Sequence, residues 1–381
     1  MKLTIPAIFL TALLTVTSCI RKEPLNAECD ILTVTLPDDE LARAVEPEND
    51  RATMVVKDYV TVTALAPSFT LTPGATIEPP SGTVRDFTEP QTYTVTSQDG
   101  QWHKTYTISA RHNTSLNLSY DFQDMRVIKT ATGGSYDEFY TETVDPETGE
   151  TNTTVWASGN SGFALTNGTK GPDTYPTFQV DNGYMGRCVC LVTRSTGTWG
   201  AMVDKPIAAG NLFIGKFITN IAVAHPRQAT QFGAPFMKIP RYFRGWYKYT
   251  AAEPYQKLDL ENRPGKLTVV PGKKDQCNIY AVFYESTEEM PYLDGDNVLA
   301  DDNPNIIAIA RLPEEMTFGA ADWTHFDTTF EFREGVKIDP DKLANGGYCL
   351  TIVMTSSIDG DFFSGAIGST LYVDEISIEC L

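Results

Sequence analysis

Histidine and basic residues are scarce in this chain. Its 381 residues include four histidines, and 30 Lys and Arg stand against 49 Asp and Glu, for a net charge of −19. Histidine is the side chain whose ordinary pKa lies nearest neutrality, so histidine-based acid–base chemistry has few candidates here. Binding to a phosphate backbone needs clustered cations, and the charge balance therefore argues against nucleic acid as a partner.

Familiar catalytic and zinc-binding signatures are also missing from the sequence. It contains no C-x-x-C pair and no G-x-S-x-G turn. Glycoside hydrolysis generally uses two carboxylates, but so many acidic residues do not let the sequence select a pair. The candidates, which nothing in the sequence ranks, are Asp121, Asp124, Glu285, Glu331, Glu334 and Asp361.

A long apolar run is present at the N-terminus, from Ile5 to Val16, after the positive Lys2. Its length is typical of a signal peptide and too short to span a bilayer. It leads into Val16-Thr17-Ser18-Cys19, the bacterial lipobox pattern. We therefore predict cleavage after residue 18 and lipid attachment at Cys19, with residues 19–29 as a tether. This predicts anchoring to the outer membrane, on the cell surface or the periplasmic face.

Six further cysteines could pair in an oxidising compartment. Most of them lie inside apolar, strand-like runs, where a thiol behaves as a small hydrophobic group. The sequence favours buried free thiols at these positions: Cys29, Cys188, Cys190, Cys277, Cys349 and Cys380.

Residues 30–112 hold short alternating runs separated by Pro and Gly. Two of them flank Asp99-Gly100, the turn signal of a β-hairpin. The spacing of turn signals predicts a small β-sandwich. The phrase TVTSQDGQWHKTYTIS resembles the closing hairpin of immunoglobulin-like modules on Bacteroidetes surface lipoproteins, which implies an immunoglobulin-like fold for this region.

Residues 113–381 are again rich in strand patterns, and only Pro340–Ala344 and Glu314–Phe318 indicate helical turns. About eleven strands suit a two-sheet jelly roll better than a seven-stranded module. The predicted strands are Leu116–Phe122, Thr153–Ala157, Arg187–Val192, Leu212–Ile218, Gly245–Tyr249, Lys266–Val270, Asn278–Tyr284, Ile306–Ala310, Thr324–Phe332, Tyr348–Thr355 and Leu371–Glu379.

Several phrases in this larger region carry a family resemblance. The run Gly365–Ile378 resembles the last strand of jelly-roll carbohydrate-binding modules, and Asp322–Phe332 resembles their W-x-x-F strand. With residues 209–217, 243–249 and 279–285, they resemble the Bacteroidetes family called the putative carbohydrate metabolism domain over most of residues 120–381. The resemblance implies a jelly roll and a role around glycans.

Carbohydrate sites combine aromatic faces with polar groups that fix hydroxyls. Residues 241–249 (RYFRGWYKY) are rich in both, and on a strand Tyr242, Arg244, Trp246 and Lys248 share one side. We predict that this side binds a neutral or acidic sugar, with Gly245 opening floor for the ligand. The alternative is that Trp246 belongs to the core and the cations are simply solvated.

Further aromatic platforms are predicted in loop-like contexts. They are Trp156, Tyr175, Tyr184 and Trp199.

A structural calcium ion is a further expectation, and no other cofactor is expected. Jelly-roll binding modules often hold calcium through the aspartate of the last-strand phrase, so the resemblance implies Asp374 as a ligand, paired here with Asp121. The acidic loop residues 294–303 offer oxygen ligands but lack EF-hand spacing.

The sequence thus predicts an all-β lipoprotein with an immunoglobulin-like spacer and a jelly roll. The leading function is non-catalytic glycan binding, and other glycan-utilisation surface proteins are further candidate partners. A glycoside hydrolase or lyase is one alternative, and a structural or adhesive surface protein is another.

Overall fold

The structure is a computed structural model. It describes residues 24–37, 40–41, 44–45, 47, 49–56, 60–112, 116–144, 151–261, 264–287, 289–344 and 346–381. The predicted signal peptide and Cys19 lie outside the described residues. The chain divides into two compact units, Met1–Asn113 and Thr114–Leu381.

The smaller unit is a β-sandwich, as predicted. Two sheets, in the order β1-β3 and β2-β6-β5-β4, enclose a core that includes Val34, Met54 and Tyr106. The hairpin predicted at Asp99-Gly100 joins β5 to β6, with Thr96 opposite His103. Its strands are β1 Ile31–Thr35, β2 Arg51–Val56, β3 Ser68–Leu71, β4 Thr76–Glu78, β5 Gln91–Thr96 and β6 His103–His112.

The larger unit is also built almost entirely of strands. In chain order they are β7 Ser119–Tyr120, β8 Met125–Lys129, β9 Ser135–Val144, β10 Thr151–Ala157, β11 Thr177–Val180, β12 Cys188–Val192, β13 Arg194–Ser195, β14 Ile207–Ala208, β15 Asn211–Phe217, β16 Thr230–Phe232, β17 Ala234–Pro235, β18 Pro240–Thr250, β19 Gln256–Asp259, β20 Lys266–Val269, β21 Asn278–Glu285, β22 Ile306–Arg311, β23 Ala320–Thr329, β24 Glu331–Phe332, β25 Tyr348–Thr355 and β26 Thr370–Cys380.

Two of the sheets in this unit form the jelly-roll sandwich. One follows the order β24-β22-β21-β25-β15-β10-β9-β8, with β16 and β17 at its side, and the other follows β11-β12-β26-β18-β23, with β7 paired to β26. Side chains that alternate along β18, including Phe243 and Tyr247, join Ile376 and Ile352 in the core. The all-β fold class with its two successive sandwiches is therefore confirmed.

Three short α-helices interrupt the strands of this unit: α1 Asn160–Asn167, α2 Gly197–Met202 and α3 Pro340–Ala344. The sequence predicted α3 and the 3₁₀ turn at Glu314–Met316 but neither α1 nor α2. Among the described residues, no helix is long and apolar enough to cross a membrane.

Six cysteines lie among the described residues, and no disulfide joins any two of them in this part of the chain. Four of them, including Cys188 and Cys190, are buried, and burial raises the thiol pKa values of Cys188 and Cys190 to about 12. The interpretation as small core groups is confirmed for the four buried cysteines, whereas Cys29 and Cys380 are only partly buried.

Candidate functional site

A cavity of about 490 Å³ opens in the larger unit. Helices α1 and α2, residues 222–230 and the 3₁₀ turn Gly360–Phe362 contribute to its walls, and strands β21 and β22 contribute to its floor. Small-molecule sites in proteins commonly enclose about 300–1,000 Å³. The cavity is therefore large enough to hold a small ligand.

Close packing places α1 at this cavity. A Cβ at Gly162 would lie 3.1 Å from the ring of Phe217, so the glycine lets the helix rest directly on that side chain. At the first turn of α1, the side chain of Asn211 accepts a hydrogen bond from the Gly159 N–H at 2.7 Å. The helix is fixed by tertiary contacts rather than by strong helix-forming residues.

The floor carries a hydroxyl, that of Tyr280, with no hydrogen-bond partner among the described residues. Tyr280 of β21 is 5% exposed, and no described residue pairs with its hydroxyl. Burial and the charge of Asp361 raise its pKa, while the charge of Arg311 lowers it, so both charges lie near the ring. The hydroxyl can therefore hydrogen-bond to water or to a ligand in the cavity.

Two more floor residues support each other. The Nε of Arg311 donates to the Oδ1 of buried Asn278 at 3.1 Å. Arg311 forms no ion pair with any described carboxylate. Its guanidinium can therefore donate to a molecule in the cavity.

Arg227 forms ion pairs with two aspartates that line the cavity. Its Nε lies 3.2 Å from Asp361 and its Nη1 lies 3.2 Å from Asp296, while the guanidinium sits 4.5 Å from the ring centre of Phe362. Burial raises the pKa of Asp361, and Arg227 offsets only part of that rise. The Asp361 side chain stays 38% accessible because it faces the cavity.

The rim presents apolar side chains to solvent. Leu165 of α1, Trp199 of α2, Val223 and Phe362 line the cavity and are all exposed. Of the predicted aromatic platforms, Trp199 is the one that lines the cavity. The arrangement combines hydrogen-bonding groups at the floor with apolar contact area at the rim, and the pKa of one carboxylate, that of Asp361, is raised by burial.

The outer face of β18 carries Tyr242, Arg244, Trp246 and Lys248, on the side that the sequence predicted. The Trp246 ring is covered, because Tyr184 stacks on it at 3.8 Å and 9° and His325 lies 5.0 Å away. It is therefore not an open stacking platform, whereas Tyr184 itself is exposed.

The cations of this outer face already have partners. Arg244 pairs with Asp327 at 2.9 Å and also with Glu379. Lys248 lies 4.6 Å from the ring centre of Tyr372 and 5.5 Å from that of Trp323. Whether this face binds a ligand stays a prediction, and the contacts within it leave few free groups to do so.

Three expectations about binding residues are wrong. Trp156 is 1% exposed and packs between Tyr120 and Phe122 in the core, so it is not a ligand platform. Tyr175 is fully buried as well. Gly245 faces the core, where a Cβ would lie 2.5 Å from Ile376, so it opens no ligand floor.

The two carboxylates predicted to hold calcium accept hydrogen bonds from backbone N–H groups. Buried Asp374 accepts those of Met185 and Glu375 at 2.9 Å each, and Asp121 accepts that of Gln123. No described group of three or more His, Cys, Asp or Glu side chains could hold a metal ion. Whether Asp374 and Asp121 bind calcium stays a prediction.

The acidic loop near residue 294 is held by protein contacts. Its Asp294 carboxylate accepts the Asp296 N–H at 2.9 Å, and Asn297 accepts the Asp294 N–H. Arg227 supplies the positive charge beside Asp296.

Most of the cavity residues carry no functional signal in the sequence. Tyr280 and Asn278 were assigned to a strand and given no role, and Arg227 and Arg311 stand in no motif. The available signal was Asn278 and Tyr280 on one side of an otherwise apolar strand.

Comparisons with known proteins agree with this architecture. Residues 121–379 match the family described as "Putative carbohydrate metabolism domain", and residues 31–110 match the family described as "SGBP, N-terminal". No curated protein matches the chain significantly.

Two solved structures are similar over much of the chain. A Bacteroides thetaiotaomicron protein described as a putative glycoside hydrolase is 44% identical, covers 95% of this chain and 99% of its own, and has a TM-score of 0.64. A Bacteroides vulgatus protein with the same description is 38% identical, covers 71% of this chain and 100% of its own, and has a TM-score of 0.62.

Proposed function

This chain belongs to the family described as the putative carbohydrate metabolism domain, and on that premise we propose that its cavity binds carbohydrate. The observation that carries the proposal is Tyr280, a cavity-lining residue that is 5% exposed and whose hydroxyl forms no hydrogen bond with any described residue. A sugar hydroxyl would satisfy it.

The neighbouring groups match a sugar ring. Asp361 can accept hydrogen bonds from sugar hydroxyls, and Arg311 can donate to them. The rings of Trp199 and Phe362 offer apolar surface to sugar C–H groups. All four residues line the same cavity.

A matched pair of tyrosines on β21 tests the site. The Tyr284 hydroxyl donates to the Phe232 carbonyl at 2.8 Å, whereas the Tyr280 hydroxyl has no such bond. A glycan array followed by calorimetry on each hit measures binding. We expect Tyr280→Phe to weaken binding about three- to tenfold, or about 0.5–1.5 kcal/mol, without lowering the melting temperature. Tyr284→Phe should lower the melting temperature and leave affinity unchanged.

A pair of exposed tryptophans provides a second test. Trp199→Ala should reduce affinity about tenfold, and Trp102→Ala, in the smaller unit, should not. Full binding by both Tyr280→Phe and Trp199→Ala would place the site elsewhere.

Hydrolysis is a second candidate function. Asp296 and Asp361 contact neighbouring nitrogens of one guanidinium group, so the cavity brings together two carboxylates, the pair of groups that glycoside hydrolases generally use. Asp361, with its raised pKa, would be the general acid. Product analysis of array hits tests this: Asp361→Asn should abolish cleavage and retain binding. Intact glycans after incubation with the unaltered protein would leave binding as the function.

We also propose that the protein is lipid-anchored at Cys19 and works at the outer membrane, with the smaller unit as a spacer. The lipobox residues support this proposal. Cell fractionation should recover the unaltered protein in membranes and Cys19→Ala in the soluble fraction. Membrane retention of Cys19→Ala in high salt would contradict lipid anchoring.

A further inference from the structure

The apolar rim of the cavity and the wall beside it differ chemically from the floor. Besides Trp199 and Phe362 of the rim, this surface, called the aliphatic wall below, presents aliphatic side chains: Leu165, Val203, Ala222, Val223 and Pro226. Leu165 and Val223 are 52% and 42% exposed. Scattered exposed apolar residues are ordinary, but a group of them around one cavity marks a binding surface.

We propose that the ligand is an amphiphilic glycoside, with one sugar at the Tyr280 floor and an apolar aglycone along this aliphatic wall. The inference rests on the proposed function and names the substrate class of the same cavity.

The charged side chains of the cavity that can still bond to a ligand are few. Charged side chains line it at Lys205, Arg227, Asp296, Arg311 and Asp361, and Arg227 is occupied by both aspartates. The charges that act on the Tyr280 ring are those of Asp361 and Arg311, so these two groups and the Tyr280 hydroxyl can bind one sugar together.

Aliphatic side chains make a poor surface for an oligosaccharide. A sugar placed against Leu165 or Val223 would exchange hydroxyl–water hydrogen bonds for contacts that cannot replace them, which is unfavourable. An alkyl or aryl group placed there loses nothing and releases water from both surfaces. The two parts of the cavity are thus satisfied together by a molecule with one polar and one apolar end.

Calorimetry with chain-length series tests this inference. The probes are methyl, butyl and hexyl β-glycosides of glucose, galactose and glucuronic acid, below their micelle concentrations, with hexanol as the sugar-free control. We expect affinity to rise with chain length, by up to about fourfold per CH₂. Hexanol alone should bind more weakly than the best hexyl glycoside.

Variants separate the two ends of the ligand. Leu165 and Val223 are exposed, so we expect Leu165→Ser and Val223→Thr to leave the fold intact. Each substitution should reduce the increase in affinity with alkyl chain length. Tyr280→Phe should weaken every glycoside by a similar factor and keep the dependence. Met202→Ser is the matched control, because Met202 is 68% exposed on α2 and is not among the cavity-lining residues.

The outcomes distinguish this inference from the proposed function. Equal affinity for methyl and hexyl glycosides, with both sensitive to Tyr280→Phe, would overturn the amphiphilic ligand and keep carbohydrate binding. Hexanol binding as tight as that of the hexyl glycosides would overturn the sugar end. No binding by any glycoside in the series would overturn the inference, while the array hits still decide the proposed function.

Discussion

Aromatic and charged side chains on the outer face of β18 contact one another, whereas the cavity contains a hydroxyl that forms no hydrogen bond with the described residues. On the outer face, Trp246 lies under Tyr184, and Arg244 pairs with Asp327 and Glu379. In the cavity, the Tyr280 hydroxyl has no partner among the described residues. Residue type alone does not mark a binding surface, because what matters is whether the groups are still available.

The two regions also differ in how the chain builds them. One strand, Pro240–Thr250, supplies the central row of the outer face, and strand alternation sorts its side chains. The cavity draws on helices α1 and α2, strands β21 and β22 and the turn at Gly360–Phe362. A local sequence window can therefore display the first region but not the second.

The largest expected effect contrasts two tryptophans. Trp156→Ala should destabilise the protein by about 3–5 kcal/mol, because the ring is buried against Tyr120 and Phe122. Trp199→Ala should change stability by no more than about 0.5 kcal/mol, because the ring is 48% exposed. Urea unfolding measures both, and similar losses for the two variants would show that Trp199 belongs to the scaffold.

Ionisation of Asp374, on the outer face, should make the stability of the protein depend on pH. Burial raises its pKa to about 6, while N–H groups of the loop that carries Tyr184 donate to it. The native protein therefore retains a proton that the unfolded chain has lost between about pH 4 and 6, so stability falls as pH rises through that window. Relative to Asp374→Asn, the unaltered protein should lose up to about 3 kcal/mol between these limits.

Unfolding curves at pH 4.5 and 7.5 measure this difference, and a constant gap between the two proteins would contradict it. Repeating the measurements with calcium and with chelator tests the calcium prediction as well. A bound ion would keep Asp374 ionised and remove the pH window, and chelator would restore it.

Much of the fold could be predicted from the sequence, because strand signals are local. Tyr348–Thr355 and Pro340–Ala344 have the predicted bounds, and β18 has the predicted alternation. Helix α1 (NSGFALTN) was missed because its glycine, threonine and asparagine residues are weak helix formers, and the contact of Gly162 with Phe217 is tertiary.

The candidate site was predictable only in part. Trp199 was singled out as an aromatic residue in a loop-like context, and it lines the cavity. The pairing of Arg227 with Asp296 and Asp361 joins three segments far apart in the chain. Nor does any local pattern reveal that Tyr184 covers Trp246, since that depends on a loop held by Asp374.

Trp246 itself provides a smaller effect that sharpens the contrast between the regions. Trp246→Ala removes the stack with Tyr184 and the contact with His325, so we expect a loss of about 1–2 kcal/mol. Glycoside affinity in the cavity should not change, because Trp246 does not line it. Reduced affinity with unchanged stability would instead make the outer face the binding surface.

The smallest expected effect concerns the two arginines. Arg244→Met removes exposed ion pairs that salt screens, so the melting temperature should move little and less at high ionic strength. Its glycoside affinity should match that of the unaltered protein.

Arg227→Met should weaken glycoside binding, because Asp361 and Asp296 lose their common counter-ion and the pKa of Asp361 rises further. Calorimetry over a series of pH values should show the Arg227→Met defect shrinking as the pH rises, because a higher pH favours the ionised form of Asp361. If Arg244→Met weakened binding of the glucuronide more than binding of the glucoside, the comparison would be reversed. That result would show that Arg244 contacts an acidic sugar despite its two carboxylate partners.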